Sequence, residues 1–325
     1  MKKAAAPSTP LRAPAPSARS EHAVRPVLLI AGGLLDPNLQ ALADAATGLG
    51  VDWVDWRFPA DTSPPFHWDL AQNSDQVSIF DLPLPWGPSG PRPRGAFIRQ
   101  DVFAALNDPR PEVAQRSLGW FMAVQGWLLA HPDVRHFNPD MSPHALNKPA
   151  ALLRARHHGL RIPDTWVSND TTLLKARLAQ PTIAKPVAGG GLCQTLDEAL
   201  ASVQAAHSAM PALIQPRLAS PEMRVFVIGT AAHAFELQSP SLDYRAEQDA
   251  QIKVAPLPEP QLGLLRKLMH DLRMDFGAAD FKTDPATGEL VFLELNTSPM
   301  FARFNQVSEG RLASDMVRQL LSPPG

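Results

Sequence analysis

The chain has 325 residues and a formal charge of -2, from 30 Lys+Arg against 32 Asp+Glu. At ~100–150 residues per domain this predicts two or three lobes with a sizeable core. The balanced charge argues against a nucleic-acid or membrane-surface partner, and the single cysteine, Cys193, excludes an intramolecular disulfide framework and Cys-cluster zinc sites.

A lone cysteine fits a reducing compartment, so a cytoplasmic location is expected. The longest apolar run, Val27 to Leu35, contains two glycines and falls far short of the ~20 residues of a membrane span. Met1-Lys2-Lys3 is followed by Ala, Pro and Ser, not by the apolar stretch of a signal peptide. Residues 1–24 read as a disordered Ala/Pro/Ser-rich tail.

An N-terminal α/β domain is expected over 25–140. Val27-Leu28-Leu29-Ile30 predicts a buried strand, closed by Gly32-Gly33. Asp36-Pro37 predicts a capped helix to about Gly48, and Val51–Asp55 a second strand. Residues 57–95 are proline-rich; Val77–Phe80 reads as a strand and Leu82–Gly95 as a loop. Ala96–Arg99 is strand-like, and Trp120, Phe121, Val124, Trp127 and Leu128 recur at helical spacing within Pro111–Ala130.

A central unit is expected over 141–215 and a C-terminal unit over 216–325. Asn147 predicts a helix cap, with Pro149 in the first turn and Gly159 at the end. A strand follows near Val167, and Asn169 or Asp170 caps another helix. Thr182–Val187, Ala212–Gln215, Met223–Gly229 and Ala234–Leu237 read as strands. Leu262, Leu265, Leu268, Met269 and Leu272 mark a helix. Phe276–Lys282 and Leu290–Asn296 flank a turn-rich segment, which predicts a hairpin, and Ser308 a cap for the last helix, to about Leu321.

The hairpin carries the most chemistry. Glu294 and Asn296, two apart in a strand, share a face. With Pro285–Glu289 as the loop, Asp280 lies directly opposite Glu294. Facing carboxylates repel, and either a divalent cation or solvation at a strand end resolves the conflict. Two carboxylates and an amide suit Mg²⁺ or Mn²⁺ better than zinc. Lys185-Pro186 precedes Gly189-Gly190-Gly191, which reads either as a phosphate loop or as a plain turn. No Gly-Lys-Ser/Thr follows, so it is not a Walker loop. Gln215-Pro216-Arg217-Leu218 reads as an extended hinge offering backbone groups to an adenine edge, and Glu222 as an acceptor for ribose hydroxyls. Arg224 and Arg245 suit phosphate or carboxylate through bidentate bonds; singly, each is equally a surface ion-pair residue. Cys193 reads as a small apolar strand residue. His157 and His158 point about 100° apart on a helix and make poor joint metal ligands.

As an ordered set across about 141–321, these features resemble the ATP-grasp superfamily, whose fold adds an N-terminal α/β pre-ATP-grasp domain to α+β nucleotide-binding lobes. Within it, Gly159-Leu160-Arg161-Ile162-Pro163-Asp164-Thr165 and Ser241-Leu242-Asp243-Tyr244-Arg245 resemble the ribosomal-protein glutamate ligases and the microviridin-type (graspetide) peptide ligases. His136-Phe137-Asn138-Pro139 and Phe97-Ile98-Arg99 resemble the N-terminal lobe of the graspetide branch. Pro149 and Pro216-Arg217 depart from the family pattern. Pro299-Met300-Phe301-Ala302-Arg303-Phe304 looks like a microviridin leader motif, although a turn after Glu-x-Asn is the favoured reading.

The resemblance implies ATP and Mg²⁺ (or Mn²⁺) as cofactors. Lys148 and Lys185 would contact phosphates beside Gly189, Gly190 and Gly191. Gln215, Pro216, Arg217 and Leu218 would frame adenine, and Glu222 would hold ribose. Asp280, Glu294 and Asn296 would carry the metal. Arg224 and Arg245 would be catalytic, stabilising the substrate carboxylate and the oxyanion that follows. The implied activity is a carboxylate–amine or carboxylate–hydroxyl ligase working through an acyl phosphate on a peptide or protein. A small amino acid or dipeptide ligase, a kinase phosphorylating an alcohol, and a nucleotide-binding regulatory protein stand as alternatives. A homo-oligomer is implied by the resemblance alone.

Overall fold

The computed structural model describes residues 27–58, 66–70, 77–79, 82–83, 92–188, 191–201, 203–239, 241–242 and 250–323. The N-terminal part holds β1 (Val27–Gly33), α1 (Pro37–Gly48), β2 (Asp52–Phe58), β3 (Phe66–Trp68), β4 (Val77–Ile79), β5 (Leu82–Pro83), β6 (Gly95–Ile98), α2 (Val102–Asn107) and α3 (Pro111–Ala130). Then come α4 (Lys148–His157), β7 (Trp166–Asp170), α5 (Thr171–Lys175), β8 (Thr182–Pro186), β9 (Gln194–Thr195), α6 (Leu196–Leu200) and β10 (His207–Pro216). The C-terminal part holds β11 (Ala219–Ile228), β12 (Ala231–Gln238), β13 (Gln251–Ala255), α7 (Glu259–Asp271), β14 (Phe276–Thr283), β15 (Leu290–Asn296), α8 (Ala302–Val307) and α9 (Arg311–Leu321).

β1 pairs in parallel with β2 and β6, giving the order β2-β1-β6. The apolar run Leu28–Ala31 is buried on both faces, against α1 on one side and α3 on the other. Gly32 has φ +142°, and a Cβ there would sit 2.6 Å from the Arg99 carbonyl oxygen. β3, β4 and β5 form a small antiparallel sheet. A four-stranded antiparallel sheet follows in the order β7-β10-β8-β9, and a five-stranded one in the order β13-β12-β11-β14-β15.

The five-stranded sheet has two differently covered faces. Val225, Val227, Ala279, Phe281, Phe292 and Leu295 point to one, packed on α4 and α7 and joined there by Leu213 of β10. Phe226, Ile228, Phe235, Phe276 and Ala278 point to the other, packed on α1, α8 and α9. That second face is apolar at only one end of the strands.

Several sequence expectations shift. β11 begins at Ala219 rather than Met223, so Glu222 lies within the strand. Cys193 lies before β9 rather than in a strand. Ser308 ends α8, and left-handed Gly310 precedes α9; the Ser308 hydroxyl still accepts from Leu312 N at 3.4 Å. Leu82–Pro83 is a short strand inside the expected loop, and Gly95 opens β6. Phe80 and most of the remaining loop fall outside the described residues. Phe301 and Phe304 of the leader-like segment are buried among α8, α9 and the sheet, while its Met300 and Arg303 are exposed.

Candidate functional site

β11 and β14 are antiparallel neighbours, with Arg224 opposite Asp280 and Glu222 opposite Lys282. Cross-strand partners and residues two apart share a face. Glu222, Arg224, Asp280 and Lys282 therefore continue the face that carries Phe226 and Ala278. Glu294 of β15 pairs with Asp280, and Asn296 with Ala278, which completes a polar cluster at one end of that face.

The Asp280–Glu294 pairing matches the expected one, but by a different route. The turn spans Asp284–Glu289, because Thr283 pairs with Leu290. This is one residue longer than expected. A bulge at Leu293 absorbs the difference, since Phe281 pairs with Phe292 while Asp280 pairs with Glu294. In a regular strand without the bulge, Glu294, two residues after Phe292, would share its buried face. Arg161 supports this arrangement: its carbonyl accepts from Phe292 N at 2.8 Å, and its guanidinium grips Asp284, Thr287 and Glu289 of the turn.

Asp280 and Arg224 are 5% and 8% exposed. Arg224 Nε and Nη2 donate to the two Asp280 oxygens at 2.6 and 2.7 Å, and its guanidinium lies 5.3 Å from the Phe304 ring centroid. Asn296 Nδ2 donates to Asp280 Oδ2 at 3.0 Å. With the amide turned this way, Asn296 Oδ1 has no hydrogen-bond partner among the described residues. Lys148 Nζ stands 3.8 Å from Glu294 Oε2. Two cations thus already offset the carboxylate repulsion. Arg224 differs from its expected placement at a substrate carboxylate, because Nε and Nη2 are committed to Asp280.

Glu222 and Lys282 form the neighbouring rung, with Lys282 Nζ 3.3 Å from Glu222 Oε2 and 3.3 Å from the Leu242 carbonyl. Burial pushes the Glu222 carboxyl above the ordinary carboxylate range, and the Asp280 charge adds to the rise; Lys282 and Arg224 oppose it.

Lys148 is the first residue of α4. Asn147 caps that helix, its Oδ1 accepting from Ala150 N at 3.0 Å. Pro149 costs nothing there, because first-turn N–H groups have no helical partner. Lys185 and Gln215 stand on the four-stranded sheet, sharing a face through the pairs Lys185–Leu213 and Ile183–Gln215. No hydrogen bond or ion pair joins either to the Asp280 cluster, and Lys185 has no such partner among the described residues. Gln215 is 2% exposed; its Nε2 donates to Thr165 Oγ1 at 3.0 Å, while its Oε1 is buried without a partner among the described residues. Pro216 ends β10 and Arg217-Leu218 cross to β11, so the expected hinge is a strand-to-strand crossing that leads to Glu222. Gly191 packs on Pro186; Gly189, Gly190 and Arg245 lie outside the described residues.

Lys282 was not expected from the sequence, although its position two residues after Asp280 is a readable signal. A buried network at the carboxyl ends of β1 and β6 was also missed. Arg99 Nε pairs with Asp36 Oδ2 at 2.9 Å, and Nη1 donates to the Pro299 carbonyl at 3.0 Å. Asn38 Oδ1 accepts from Phe301 N and Ala302 N at 2.6 and 2.9 Å. This network anchors the loop that follows Asn296 to the parallel sheet.

Two carboxylates and an outward amide oxygen form an oxygen-only set suited to a hard divalent cation. Among the described residues no group of three or more His, Cys, Asp or Glu is placed to hold a metal, and no helix is long and apolar enough to cross a membrane.

No protein-family model matches the chain, and no curated protein matches it in sequence. Solved structures do match. The chain is similar to the ATP-grasp ligase PsnB complexed with minimal precursor, Mg and ADP, with 19% identity and a TM-score of 0.67 over 91% of this chain and 98% of that one. It is similar to the macrocyclase MdnC of Microcystis aeruginosa MRC bound with precursor peptide MdnA, with 19% identity and a TM-score of 0.68 over 91% and 99%. The D-Ala:D-Ser ligase VanG of Enterococcus faecalis aligns at 15% identity and a TM-score of 0.59 over 91% and 98%. At these identities the likeness establishes the fold.

Proposed function

From the ATP-grasp fold of the chain, we propose an ATP- and Mg²⁺-dependent ligase that activates a peptide carboxylate as an acyl phosphate and joins it to an amine or a hydroxyl. The observation that carries this reading is the single sheet face bearing Glu222, Arg224, Asp280, Glu294 and Asn296. PsnB and MdnC, with which the chain shares its fold over 91% of its length, are complexed with precursor peptides, and this supports a peptide substrate.

Asp280, Glu294 and Asn296 Oδ1 would hold the cation, which when bound supplies charge neutralisation at the phosphate oxygens. Arg224 fixes the orientation of Asp280 and so acts through it. Lys148 and Lys185 carry the phosphates, with Gly191 beside them. Gln215 to Leu218 frame adenine. The unpartnered Gln215 Oε1 accepts from the exocyclic amine of that base, where guanine would present a carbonyl. Glu222 accepts from the ribose hydroxyls. The γ-phosphoryl passes to the substrate carboxylate and ADP leaves. The acceptor nitrogen or oxygen then bonds to the acyl carbon, phosphate leaves, and the product is lighter than its substrates by one water. The parallel sheet, the four-stranded sheet and the five-stranded sheet support lobes at 25–140, 141–215 and 216–325, and an ATP-consuming reaction fits the cytoplasm.

The likeness to VanG favours a second reading, the same chemistry on a small amino acid. The test is ADP and phosphate release with Mg-ATP and size-fractionated host-cell extract, before and after proteolysis. Release from the large fraction that proteolysis abolishes supports the peptide ligase. Release that survives in the small fraction overturns it. Hydroxylamine trapping then separates a ligase from a kinase, because only an acyl phosphate yields a hydroxamate.

A further inference from the structure

The polar face has an order along its strands. The crossing at Arg217-Leu218 lies at one end, the Glu222–Lys282 rung comes next, and the Arg224–Asp280–Glu294 rung follows. Adjacent rungs on one face are about 7 Å apart, two residues of strand rise. In a nucleotide the ribose lies between base and phosphates. With the base at the crossing and the phosphates at the cation set, the ribose falls at the Glu222–Lys282 rung.

Lys282 is built to hold that rung. Its side chain is 21% exposed and that of Glu222 15%. Of its three ammonium hydrogens, one faces Glu222 Oε2 at 3.3 Å and one the Leu242 carbonyl at 3.3 Å. A second strand thereby fixes the Glu222 carboxylate from the side. Lys282 touches neither Asp280 nor Glu294 through any hydrogen bond or ion pair. None of the roles proposed above uses it.

We infer that Lys282 is a positioning residue for the ribose: it holds the Glu222 carboxylate in the orientation that accepts from the 2′ and 3′ hydroxyls, and so makes the site select a ribonucleotide. This rests on the nucleotide reading of the face.

The test is equilibrium binding by calorimetry of Mg-ADP and of Mg-2′,3′-dideoxy-ADP, which lacks both hydroxyls. Hydrogen bonds to a charged carboxylate predict a preference of about tenfold or more for ADP in the wild type. Lys282→Met should reduce that preference to below about threefold, mainly by weakening ADP, whereas Lys282→Arg should keep most of it. In a Glu222→Gln background Lys282→Met should add nothing, because the two act as one unit. A wild-type preference retained in Lys282→Met overturns the inference. So does equal weakening of both nucleotides, which places Lys282 on the phosphates or in the fold alone. A wild type that binds ADP without preferring it overturns the ribose role of Glu222 and, with it, that of Lys282. A wild type that binds no ADP overturns the nucleotide reading itself.

Discussion

Replacing Asp280 by alanine strands a buried guanidinium. Arg224 is 8% exposed and loses the acceptor of both its 2.6 and 2.7 Å bonds, and Asn296 Nδ2 loses its acceptor as well. Breaking a buried pair in this way costs about 3–5 kcal/mol. Glu294 sits directly opposite on the next strand, yet its side chain is 27% exposed and its ion-pair partner, Lys148, is 3.8 Å away. A partly exposed pair of that kind contributes about 0–1 kcal/mol. Both alanine variants are expected to lose Mg-dependent ATP turnover. Only Asp280→Ala should lose stability, by about 3–5 kcal/mol in urea unfolding without metal, or roughly 6–20 °C at ~2–4 °C per kcal/mol. Adding Arg224→Met to Asp280→Ala should recover most of the stability and none of the turnover, since it removes the stranded charge. An Asp280→Ala variant that unfolds at the wild-type urea concentration would refute the reasoning, as would a Glu294→Ala variant that loses as much.

Lys185→Ala should weaken ATP binding by about tenfold, the scale of a charge-assisted bond, and leave the unfolding midpoint unchanged; titration calorimetry and urea melts read the two, and unaltered affinity counts against a phosphate role. Arg99→Met should destabilise by about 3–5 kcal/mol, because Asp36, 0% exposed, is left charged and buried; a melt within 1 °C of wild type would show the network to be dispensable. Glu222 yields a pH prediction. Its native pKa is raised above 4.5, so the native state holds that proton more tightly than the unfolded chain. Its contribution to stability is full below the unfolded value and is lost as pH rises through the native one. Glu222→Gln should remove this loss, and metal-free urea unfolding measured upward from pH 4.5 checks it; an identical slope in wild type and variant would exclude Glu222 as the source.

The elements themselves were largely legible. Asp36-Pro37 and Asn147 announce helices because a capping side chain and a first-turn proline act within one turn of chain. Leu262 to Leu272 announce α7 because helical burial repeats every three to four residues. The site was legible as a set of residue types but only partly as a geometry. Arg224 was legible as a bidentate cation for phosphate or carboxylate, or as an ion-pair residue; the β11–β14 register paired it with Asp280. Lys185 and Gln215 stand on a different sheet from Asp280, a separation invisible in a linear order. Arg99 and Asp36 are 63 residues apart, and neither carries a local sign of the other.

The hairpin shows where the two kinds of information divide. The alternation of Glu294 and Asn296 about Leu295 is a local property of extended backbone, and the sequence by itself determined that they share a face. Which face they share was decided elsewhere. The bulge at Leu293 turns Glu294 away from the side of Phe292, and the Arg161 carbonyl that receives Phe292 N belongs to a distant linker. Side-chain period, caps and turns depend on a few neighbouring residues, so the linear sequence carries them. Register, sheet faces and buried charge pairs depend on which segments meet, and only the folded chain brings those together.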